Sequence, residues 1–311
     1  MGDVCAVGHR VVHGGTRFTH AELVTDEMVV ALDDLAPLDP DHLPEEIAII
    51  RAMRTSLAGV PHVACFDTAF HHAMPRVATL LPIPRRFEAA GVRRYGFHGL
   101  SYTYLMSELS RIAGDEARGR VILAHLGSGA SLCAVMNGNA IDTTMGFTPT
   151  SGIPMATRTG DLDPGALLFL LRSMKVSALG DLVNHESGLL GVSETTGDMR
   201  TLLATEASDL RAAEAVSLFC YQAKKAIGAL AAAMGGVETL VFSGGIGEHA
   251  APVRARIASG LEHLGIHVDD ARNARALPVI STDATACTVR VIPTDEESVI
   301  ARQTLDIVRK A

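Results

Sequence analysis

Two arginines stand in short motifs whose neighbouring residues suit the binding of an anion. Arg10 lies within the run from His9 to Gly15, and Arg158 lies within the run from Met155 to Asp161. An unpaired guanidinium is costly among small and apolar neighbours, so a structural salt bridge would explain either arginine by itself. Because both motifs combine arginine with a following glycine, we favour a clamp that holds a phosphoryl or carboxylate group.

Two histidines are candidate hydrogen-bond donors to the same group. His98 precedes Gly99, and His125 ends a predicted strand just before a glycine turn. Either residue alone would more often be a satisfied core histidine. At a strand end that faces a glycine turn, however, an imidazole can donate to a transferring phosphoryl oxygen. Four other histidines are expected to be structural or to contact the site indirectly: His9, His13, His71 and His72.

Two carboxylates follow predicted strands and are candidate ligands of Mg²⁺. Asp67 comes directly after the strand predicted over His62 to Phe66, and Glu296 follows the last predicted strand. Such carboxylates commonly hold Mg²⁺, often through water, and Mg²⁺ neutralises nucleotide phosphates. For Glu296 there is a simpler explanation, because the acidic run from Asp295 to Glu297 is also a favourable helix start.

Two glycine-rich turns can present backbone N–H groups to an anion. The first is Gly127-Ser128-Gly129, between two predicted strands, and the second runs from Gly244 to Gly247, between a strand and a helix. Both positions suit phosphate binding. None of the four lysines lies in a glycine-rich loop, which excludes a Walker A phosphate loop.

The second turn also loosely fits the fingerprint of dinucleotide-binding proteins. The fit involves Gly245, Gly247, Ala250 and Asp269. It makes a dinucleotide-dependent oxidoreductase an alternative hypothesis. The match is weak, because no strand–helix–strand series begins the chain.

The elements that must position these residues alternate between helical and strand-like patterns, which predicts an α/β fold. Helices are expected over Leu43 to Leu57, from Ser101 as N-cap to about Ala113, over Leu210 to Met234, from the second glycine turn to about Leu264, and over Glu296 to Lys310. Strands are expected over His62 to Phe66, Arg120 to His125, Ser131 to Met136, Asn139 to Thr144, Glu238 to Phe242 and Thr288 to Ile292. The Asn137-Gly138 pair predicts a hairpin turn, so the strands around it should form an antiparallel meander.

Composition narrows the classes of function. The 311 residues carry a net charge of −8, which argues against nucleic acid or an anionic membrane as partner. No apolar stretch approaches the roughly 20 residues of a membrane span, and the start of the chain lacks the pattern of a signal peptide. Five scattered cysteines without metal-ligand spacing are typical of reduced, buried thiols, so we expect a cytoplasmic protein.

Taken together, the motifs resemble those of the acetate kinases, in the acetate and propionate kinase group, in order and spacing across nearly the whole chain. The matching runs are 7–15, 35–38, 66–71, 94–99, 125–131, 144–149, 157–164, 187–191, 244–248 and 292–297. Several of these runs are long, so a chance match to all of them in order is not credible.

The resemblance implies a fold, a reaction and partners. The fold would be the actin-like ATPase (ribonuclease H-like) fold, with residues 1–67 and 297–311 in an N-terminal domain and residues 68–296 in a C-terminal nucleotide-binding domain. The protein would be a homodimer that transfers the γ-phosphoryl group of ATP directly to acetate, with Mg²⁺ or Mn²⁺ as the metal. Propionate and butyrate are alternative acceptors.

The resemblance also implies roles for individual residues. The catalytic residues would be Arg10, Asp67, His98, His125 and Arg158, and the metal ligand would be Glu296. The acetate pocket would consist of Arg10, Val12, Leu38, Phe97 and Pro149. The nucleotide would be bound by His125, Gly127, Gly129, Asp198, Arg200, Gly244, Gly245, Ile246, Gly247 and Glu248.

Four departures distinguish this chain from the family pattern. The family's opening loop, similar to Asn-x-Gly-Ser-Ser-Ser-x-Lys, has no counterpart here, so the N-terminal domain is expected to be incomplete. Asp39 and Tyr102 stand where the family has histidines, and Ser128 stands where it has asparagine. A catalytically silent relic that dimerises and still binds nucleotide is therefore an alternative to an active kinase.

Overall fold

Two β-sheets organise residues 4–283 and 285–310, the part of the chain that the computed structural model describes. The smaller sheet has the order β1-β3-β2 and consists of β1 (Val7–Val11), β2 (Glu22–Leu23) and β3 (His62–Phe66). β1 runs parallel to β3, with Arg10 opposite Cys65, and β2 runs antiparallel to β3. This register brings the ends of β1 and β3 together, and with them Arg10 and Asp67.

The larger sheet has the order β6-β5-β4-β7-β8. Its strands are β4 (Arg120–Leu126), β5 (Ala130–Met136), β6 (Asn139–Thr143), β7 (Thr239–Ser243) and β8 (Thr288–Val291). The predicted antiparallel meander is confirmed by β4, β5 and β6, whereas β4, β7 and β8 run parallel. Because His125 is paired with Ser243 across β4 and β7, both glycine turns emerge at one edge of this sheet.

The described residues form fourteen helices around and between the sheets. They are α1 (Asp26–Leu35), α2 (Leu43–Ser56), α3 (Arg76–Thr79), α4 (Arg85–Ala89), α5 (Gly99–Ala113), α6 (Pro164–Leu170), α7 (Val176–His185), α8 (Gly188–Ser193), α9 (Met199–Thr205), α10 (Leu210–Met234), α11 (Gly244–His249), α12 (Ala251–Ala258), α13 (Asp270–Ala274) and α14 (Glu296–Val308). The longest, α10, has the predicted bounds and packs its apolar stripe against the larger sheet, where the main core lies.

The last helix, α14, returns to the first sheet. It packs against β1 and β3 and also against α5. Helix α14 lies very close to β1 at Gly8, where a Cβ would be only 2.5 Å from Cγ2 of Ile300. The lack of a side chain at Gly8 therefore permits this packing. The return of α14 places its first residue, Glu296, beside the ends of β1 and β3.

The prediction that Ser101 caps a helix is wrong. Helix α5 begins at Gly99, with His98 as the preceding residue, so Ser101 lies inside the first turn. The Ser101 side chain is fully buried, and its Oγ lies 2.8 Å from Nδ1 of His125. A serine near a helix start need not cap it when a tertiary partner takes its hydroxyl.

The single helix predicted from the second glycine turn to about Leu264 is also wrong. The turn itself is helical, as α11, and a break at Ala250 separates it from α12, in which Pro252 occupies the first turn. α12 ends before Gly260, whose φ of 87° is incompatible with a continued helix. Only the short 3-10 turn Glu262–Leu264 follows.

The thiols largely follow the prediction of buried, reduced cysteines. All five are free, and Cys5 alone is exposed while Cys65, Cys133, Cys220 and Cys287 are buried. Within the described ranges, no helix combines the length and apolar character that crossing a membrane requires.

Candidate active site

A cavity of about 480 Å³ opens where the ends of β1, β3, β4 and β7 meet. It brings together all six residues that were predicted to be catalytic or to bind metal. The complete lining is Arg10, Val12, His42, Glu46, Asp67, Phe97, His98, His125, Gly127, Ser128, Gly129, Pro149, Arg158, Gly244, Gly245, Glu248, Thr294 and Glu296. Residues from nearly the whole length of the chain therefore face one space.

Arg10 is held in this cavity by a carboxylate. Its Nη2 and Nε donate to Oδ2 of Asp67 at 2.6 and 3.1 Å, and its Nε lies 3.9 Å from Oε2 of Glu296. The charge of Asp67 raises the pKa of Arg10, whereas burial raises the pKa of Asp67 despite the opposing effect of Arg10. The two short contacts are those of a charged guanidinium with an ionised carboxylate, so the two groups form an ion pair. Asp67 thus fixes the orientation of the Arg10 guanidinium and neutralises part of its positive charge.

Arg158 faces the cavity without a carboxylate partner among the described residues. Its Nη1 donates to the backbone oxygen of Pro149 at 3.3 Å, and its Nη2 lies 3.4 Å from Nε2 of His42. Burial lowers the pKa of Arg158, and the charge of Asp39 works against that effect. A half-buried cation that lacks a counter-ion gains more from an incoming anion than a paired one does. Arg158 is therefore the arginine best prepared to receive a carboxylate or phosphoryl group.

The imidazoles of His98 and His125 are stacked, with ring centroids 4.3 Å apart. Burial lowers the pKa of His125 to about 4, with a smaller effect from Arg10. Burial, together with the neighbouring His125, lowers the pKa of His98 well below its usual range. Both rings are therefore neutral near neutral pH, and each carries a single ring proton.

Hydroxyl groups determine where that proton sits. Nδ1 of His98 lies 2.8 Å from Oγ of Ser131, and Nδ1 of His125 lies 2.8 Å from Oγ of Ser101. Each serine has a second hydroxyl neighbour that can donate to it, so we assign the serines as donors to Nδ1 and the ring protons to Nε2. These neighbours are Tyr102 at 2.5 Å and Thr294 at 2.8 Å. Each imidazole can then donate from Nε2.

The glycine turn after β4 lies directly in front of these imidazoles. A Cβ built at Gly129 would lie 3.1 Å from Nε2 of His98, and one built at Gly127 would lie 3.7 Å from Nε2 of His125. A side chain at Gly129 would thus occupy space in front of a candidate donor. The turn leaves room for a ligand that contacts both the backbone and the imidazoles.

The backbone of His98 is held in the left-handed region, with φ 59°. For a residue with a side chain this conformation costs roughly 1–2 kcal/mol. The next residue, Gly99, compensates by donating its N–H to the backbone oxygen of Asp67 at 2.8 Å, an approach so close that a Cβ there would lie 2.1 Å from that oxygen. The strained turn therefore ties His98 to Asp67.

Glu248 joins the second glycine turn to the loop before α14. Its Oε1 accepts from the backbone N–H of Gly244 at 2.9 Å and of Thr294 at 3.2 Å. Gly244 has φ 74°, and a Cβ there would lie 2.8 Å from the backbone oxygen of Leu126. This turn is thereby fixed against the end of β4.

A second cavity of about 330 Å³ adjoins the first. Its walls are more apolar than those of the first cavity. It is lined by Gly127, Ser128, Asp198, Met199, Arg200, Leu203, Gly245, Ile246, His249, Ala250 and Pro252. Asp198 caps α9, accepting from the backbone N–H of Arg200 at 3.2 Å. The predicted nucleotide residues Asp198, Arg200 and Ile246 thus lie together beside the two glycine turns.

Two predicted residues lie outside both linings. Leu38 is half-buried in the 3-10 turn Ala36–Leu38 and does not border the cavity. Gly247 lies on the buried face of α11, where a Cβ would be 3.4 Å from the backbone of Phe242. Their contacts with acetate and nucleotide stay predictions.

Two residues that the sequence analysis missed, His42 and Glu46, line the cavity. They are four residues apart at the start of α2, a spacing that places side chains on one helix face and that could have drawn attention to them. Oε2 of Glu46 accepts from the backbone N–H of Val12 at 2.9 Å. Burial raises the pKa of Glu46 to about 7, helped by the charge of Asp67 and opposed by Arg10 and His42.

Replacing Glu46 by glutamine is expected to reduce the pH dependence of anion binding. As pH rises through the Glu46 pKa of about 7, the wild-type carboxyl becomes charged and repels an anion in the cavity. The same titration removes folding stability as pH rises, because the pKa in the folded state lies above that in the unfolded state. The affinity for sulfate, whose charge is constant, should therefore fall across this pH in the wild type and much less in E46Q. Calorimetric titrations with sulfate at several pH values measure this affinity. Glu45→Gln, at an exposed position, is the control. Equal pH dependence in the wild type and in E46Q would show that Glu46 is not the group that titrates.

Oxygen ligands for a divalent cation are available beside Arg10. Oδ1 of Asp67 is buried and has no hydrogen-bond partner among the described residues. Burial, and next the charge of Asp67, raises the pKa of Glu296. No group of three or more His, Cys, Asp or Glu in the described ranges could hold a metal ion by itself. Mg²⁺ commonly takes only one or two carboxylates and completes its shell with water and phosphate oxygens, so these donors fit Mg²⁺ bound together with a phosphate.

Comparisons with known proteins find similar chains. The sequence model of the acetokinase family matches residues 1–302. The acetate kinase of Methylocella silvestris is 47% identical over 305 residues, which cover 97% of this chain and 75% of that protein. The crystal structure of Porphyromonas gingivalis acetate kinase has a TM-score of 0.92 at 39% identity and is matched over 98% of this chain and 78% of that chain. The crystal structure of a propionate kinase from Francisella tularensis has a TM-score of 0.93 at 35% identity, over 97% of this chain and 79% of that one.

Proposed function

This chain belongs to the acetokinase family, and on that premise we propose that it transfers the γ-phosphoryl group of ATP to acetate, forming acetyl phosphate and ADP. It is a phosphotransferase whose acceptor is a carboxyl group. Its fold is that of the solved acetate and propionate kinases, the actin-like ATPase fold.

One observation carries this proposal. The first cavity, which holds Arg10 and Arg158, and the second cavity share Gly127, Ser128 and Gly245. Adenosine in the second cavity and phosphates along the shared glycine turns would place the γ-phosphoryl group between Arg10 and Arg158. Backbone N–H groups at such turns favour phosphate oxygens.

The roles of the residues follow from this placement. Acetate would bind with its carboxylate at Arg158 and its methyl group against Val12, Phe97 and Pro149. A carboxylate oxygen attacks the γ-phosphorus, the bond to the β–γ bridging oxygen breaks, and ADP leaves with that oxygen. Nε2–H of His98 and of His125 would donate to the transferring phosphoryl oxygens, and Arg10 would add positive charge. Catalysis then comes from positioning and charge stabilisation, without a covalent enzyme intermediate.

Glu296 is the residue that we propose to hold the metal. Its position at the start of α14, 3.9 Å from Arg10, places a carboxylate beside the transferring group, with the unpartnered oxygen of Asp67 nearby. Mg²⁺, or Mn²⁺ in its place, would neutralise charge on the nucleotide phosphates when bound.

Trapping the product with hydroxylamine tests the function. Acetyl hydroxamate should accumulate only when ATP, Mg²⁺ and acetate are all present, because acetyl phosphate is the acylating species. Tight ATP binding without any hydroxamate would instead support the silent nucleotide-binding alternative. Hydroxamate formed equally well without ATP would show that the reaction is not phosphoryl transfer.

Val12→Ala is expected to improve the use of propionate relative to acetate. Val12 is 5% exposed and lines the cavity next to the proposed acetate position. Shortening it creates space for an additional methylene, which is worth about 1–3 kcal/mol of discrimination. The ratio of kcat/KM for the two acids measures the change, with buried Val63→Ala, outside the cavity, as control. An unchanged ratio in V12A would remove Val12 from the acyl pocket.

We also propose that the protein is a homodimer. Four apolar residues that are close together in the sequence around α6 and the start of α7 are exposed: Leu162, Leu168, Phe169 and Val176, at 43–76% in the isolated chain. We call them the α6–α7 patch, and we infer the interface there because exposed apolar surface is typical of a protein interface. Phe169→Glu should therefore convert a dimer into a monomer in analytical ultracentrifugation, whereas Phe87→Glu, on the exposed surface elsewhere, should not. A dimer that persists in F169E would place the interface elsewhere.

The remaining proposals concern domains and location. We propose that residues 1–67 and 297–311 form the N-terminal domain and residues 68–296 the nucleotide-binding domain, supported by the packing of α14 against β1 and β3. A cytoplasmic location is supported by the use of ATP and by five free thiols.

A further inference from the structure

Asp39 and His42 form a local pair at the entrance to α2. Asp39 follows the 3-10 turn Ala36–Leu38 and is only 3% exposed. Its Oδ1 accepts from the backbone N–H of His42 at 3.2 Å and lies 2.8 Å from Nδ1 of the same residue. Because an ionised carboxylate can only accept, Nδ1 is the ring atom that carries the proton. Two contacts to one oxygen thus fix both the tautomer and the direction of the imidazole.

The other side of the imidazole meets Arg158. Nε2 of His42 lies 3.4 Å from Nη2 of Arg158, a long contact that an incoming ligand can tighten. The hydrogen bond to Asp39 raises the pKa of His42, while burial and the charge of Arg158 work against that effect. Above this pKa the ring is neutral, and Nε2 is the free acceptor for a guanidinium, which can only donate. Carboxylate, imidazole and guanidinium then form a chain that ends in the cavity.

We propose that Asp39 and His42 orient the Arg158 guanidinium toward the anion it receives, which makes His42 a positioning residue of the phosphoryl-transfer site; this inference rests on the kinase function proposed above. The other hydrogen bonds of Arg158 go to the backbone oxygen of Pro149 at 3.3 Å and to Sδ of Met155 at 3.9 Å, and both are weak.

A neutral anchor has a specific advantage over a direct ion pair. Arg10 is paired with Asp67, so an anion must compete with that carboxylate for its charge. Arg158 instead contacts an imidazole that is uncharged above the raised pKa of His42, while the carboxylate of Asp39 stands one side chain further away. The guanidinium is thereby oriented and keeps its charge for the substrate.

Two substitutions of His42 separate positioning of Arg158 from local folding. In His42→Gln, the side-chain oxygen can accept from Arg158 at the place of Nε2, but the contact with Asp39 is lost. In His42→Asn, the amide can donate to Asp39 at the place of Nδ1 but does not reach Arg158. We expect His42→Ala and His42→Asn to lower kcat roughly 10- to 100-fold, because a displacement of about 1 Å of a catalytic group can have that effect. His42→Gln should keep most of kcat.

Asp39→Ala and the double variant complete the series. Asp39→Ala should lower kcat by less than His42→Ala, because the imidazole can still contact Arg158, and the double variant should be little worse than His42→Ala, since residues that act through one chain are not additive. His185→Ala is the matched control. Its imidazole lies 3.6 Å from Oδ2 of Asp41, so it is a second histidine–aspartate pair, but it is exposed and outside the cavity lining. Its kcat should not change.

A binding measurement keeps this inference separate from the kinase function. Sulfate should raise the Tm of the wild type and of His42→Gln, and raise it clearly less in His42→Ala and His42→Asn, whether or not the wild type makes acetyl phosphate. A wild type that responds to sulfate but yields no acetyl phosphate would reject the kinase function and leave the anchoring of Arg158 standing. The inference would be overturned if all variants had the same kcat and the same rise in Tm with sulfate. It would also be overturned if His42→Asn kept a higher kcat than His42→Gln.

Discussion

Replacing Arg158 by alanine is expected to lower kcat by about 10²–10³-fold, with only a modest change in the KM for ATP. Arg158 is the arginine of the cavity that has no carboxylate partner among the described residues, and burial lowers its pKa. Its charge is therefore available to the oxygens on which negative charge develops during transfer. An interaction that strengthens in the transition state appears in kcat rather than in nucleotide affinity.

Steady-state kinetics with ATP and acetate varied in turn test this expectation. Arg158→Lys should recover only part of the activity, because an ammonium group cannot bind two oxygens with parallel N–H donors. Arg111→Ala is the matched control, since Arg111 is 70% exposed and paired with Glu108 on the surface of α5. An R158A enzyme that keeps most of its kcat would remove Arg158 from the transfer site.

Replacing Asp67 by alanine is expected to have a comparably large effect, roughly 10²-fold or more on kcat/KM for acetate. Asp67 is 1% exposed, anchors Arg10 through Oδ2, and has a second oxygen without a partner among the described residues. Its loss would release Arg10 and would remove an oxygen beside the proposed metal ligand Glu296. The concentration of Mg²⁺ at half-maximal activity should therefore rise together with the KM for acetate.

Stability must be measured alongside activity, because removing one member of an ion pair can also destabilise the fold. Glu116→Ala is the control. Glu116 and Arg290 also form a two-bond arginine–carboxylate pair, with both distances 2.8 Å, but it lies outside the cavity. Its loss should lower Tm without changing the Mg²⁺ requirement. If D67A lowers Tm but keeps the wild-type Mg²⁺ requirement and acetate KM, Asp67 has only a structural role.

Much of the site was predictable from local sequence. Arg10, Asp67, His125 and the glycine turns each lie at or just after the end of a strand, and strand ends in one sheet or in two adjoining sheets converge at one edge. The positions of β3 and α10 were also predictable to the residue, since an apolar run or stripe bounded by turn residues specifies an element locally. Such features depend on nearest neighbours along the chain.

Predictions that depended on partners distant in sequence were less successful. Ser101 has the local chemistry of a helix cap, yet its hydroxyl is used by His125 and Thr294, which are far away along the chain. Leu38 does not line the cavity, whereas the next residue, Asp39, is buried, and the contact of Leu38 with acetate stays a prediction. Nothing within a few residues of Ser101 indicates which partners take its hydroxyl.

The sequence by itself determined which residue types were available for chemistry and on which kinds of element they lie. Arginine, imidazole, carboxylate and glycine occur in motifs whose chemistry is local, so their capacity to bind phosphate and carboxylate could be inferred without coordinates. Only the tertiary structure decided the electrostatic state of each group. Arg10 is paired with Asp67, Arg158 lies beside the imidazole of His42 rather than a carboxylate, and burial keeps His98 uncharged. These states depend on distances between residues that are far apart in the chain and on the exclusion of water, and both arise only when the two sheets and α14 pack together.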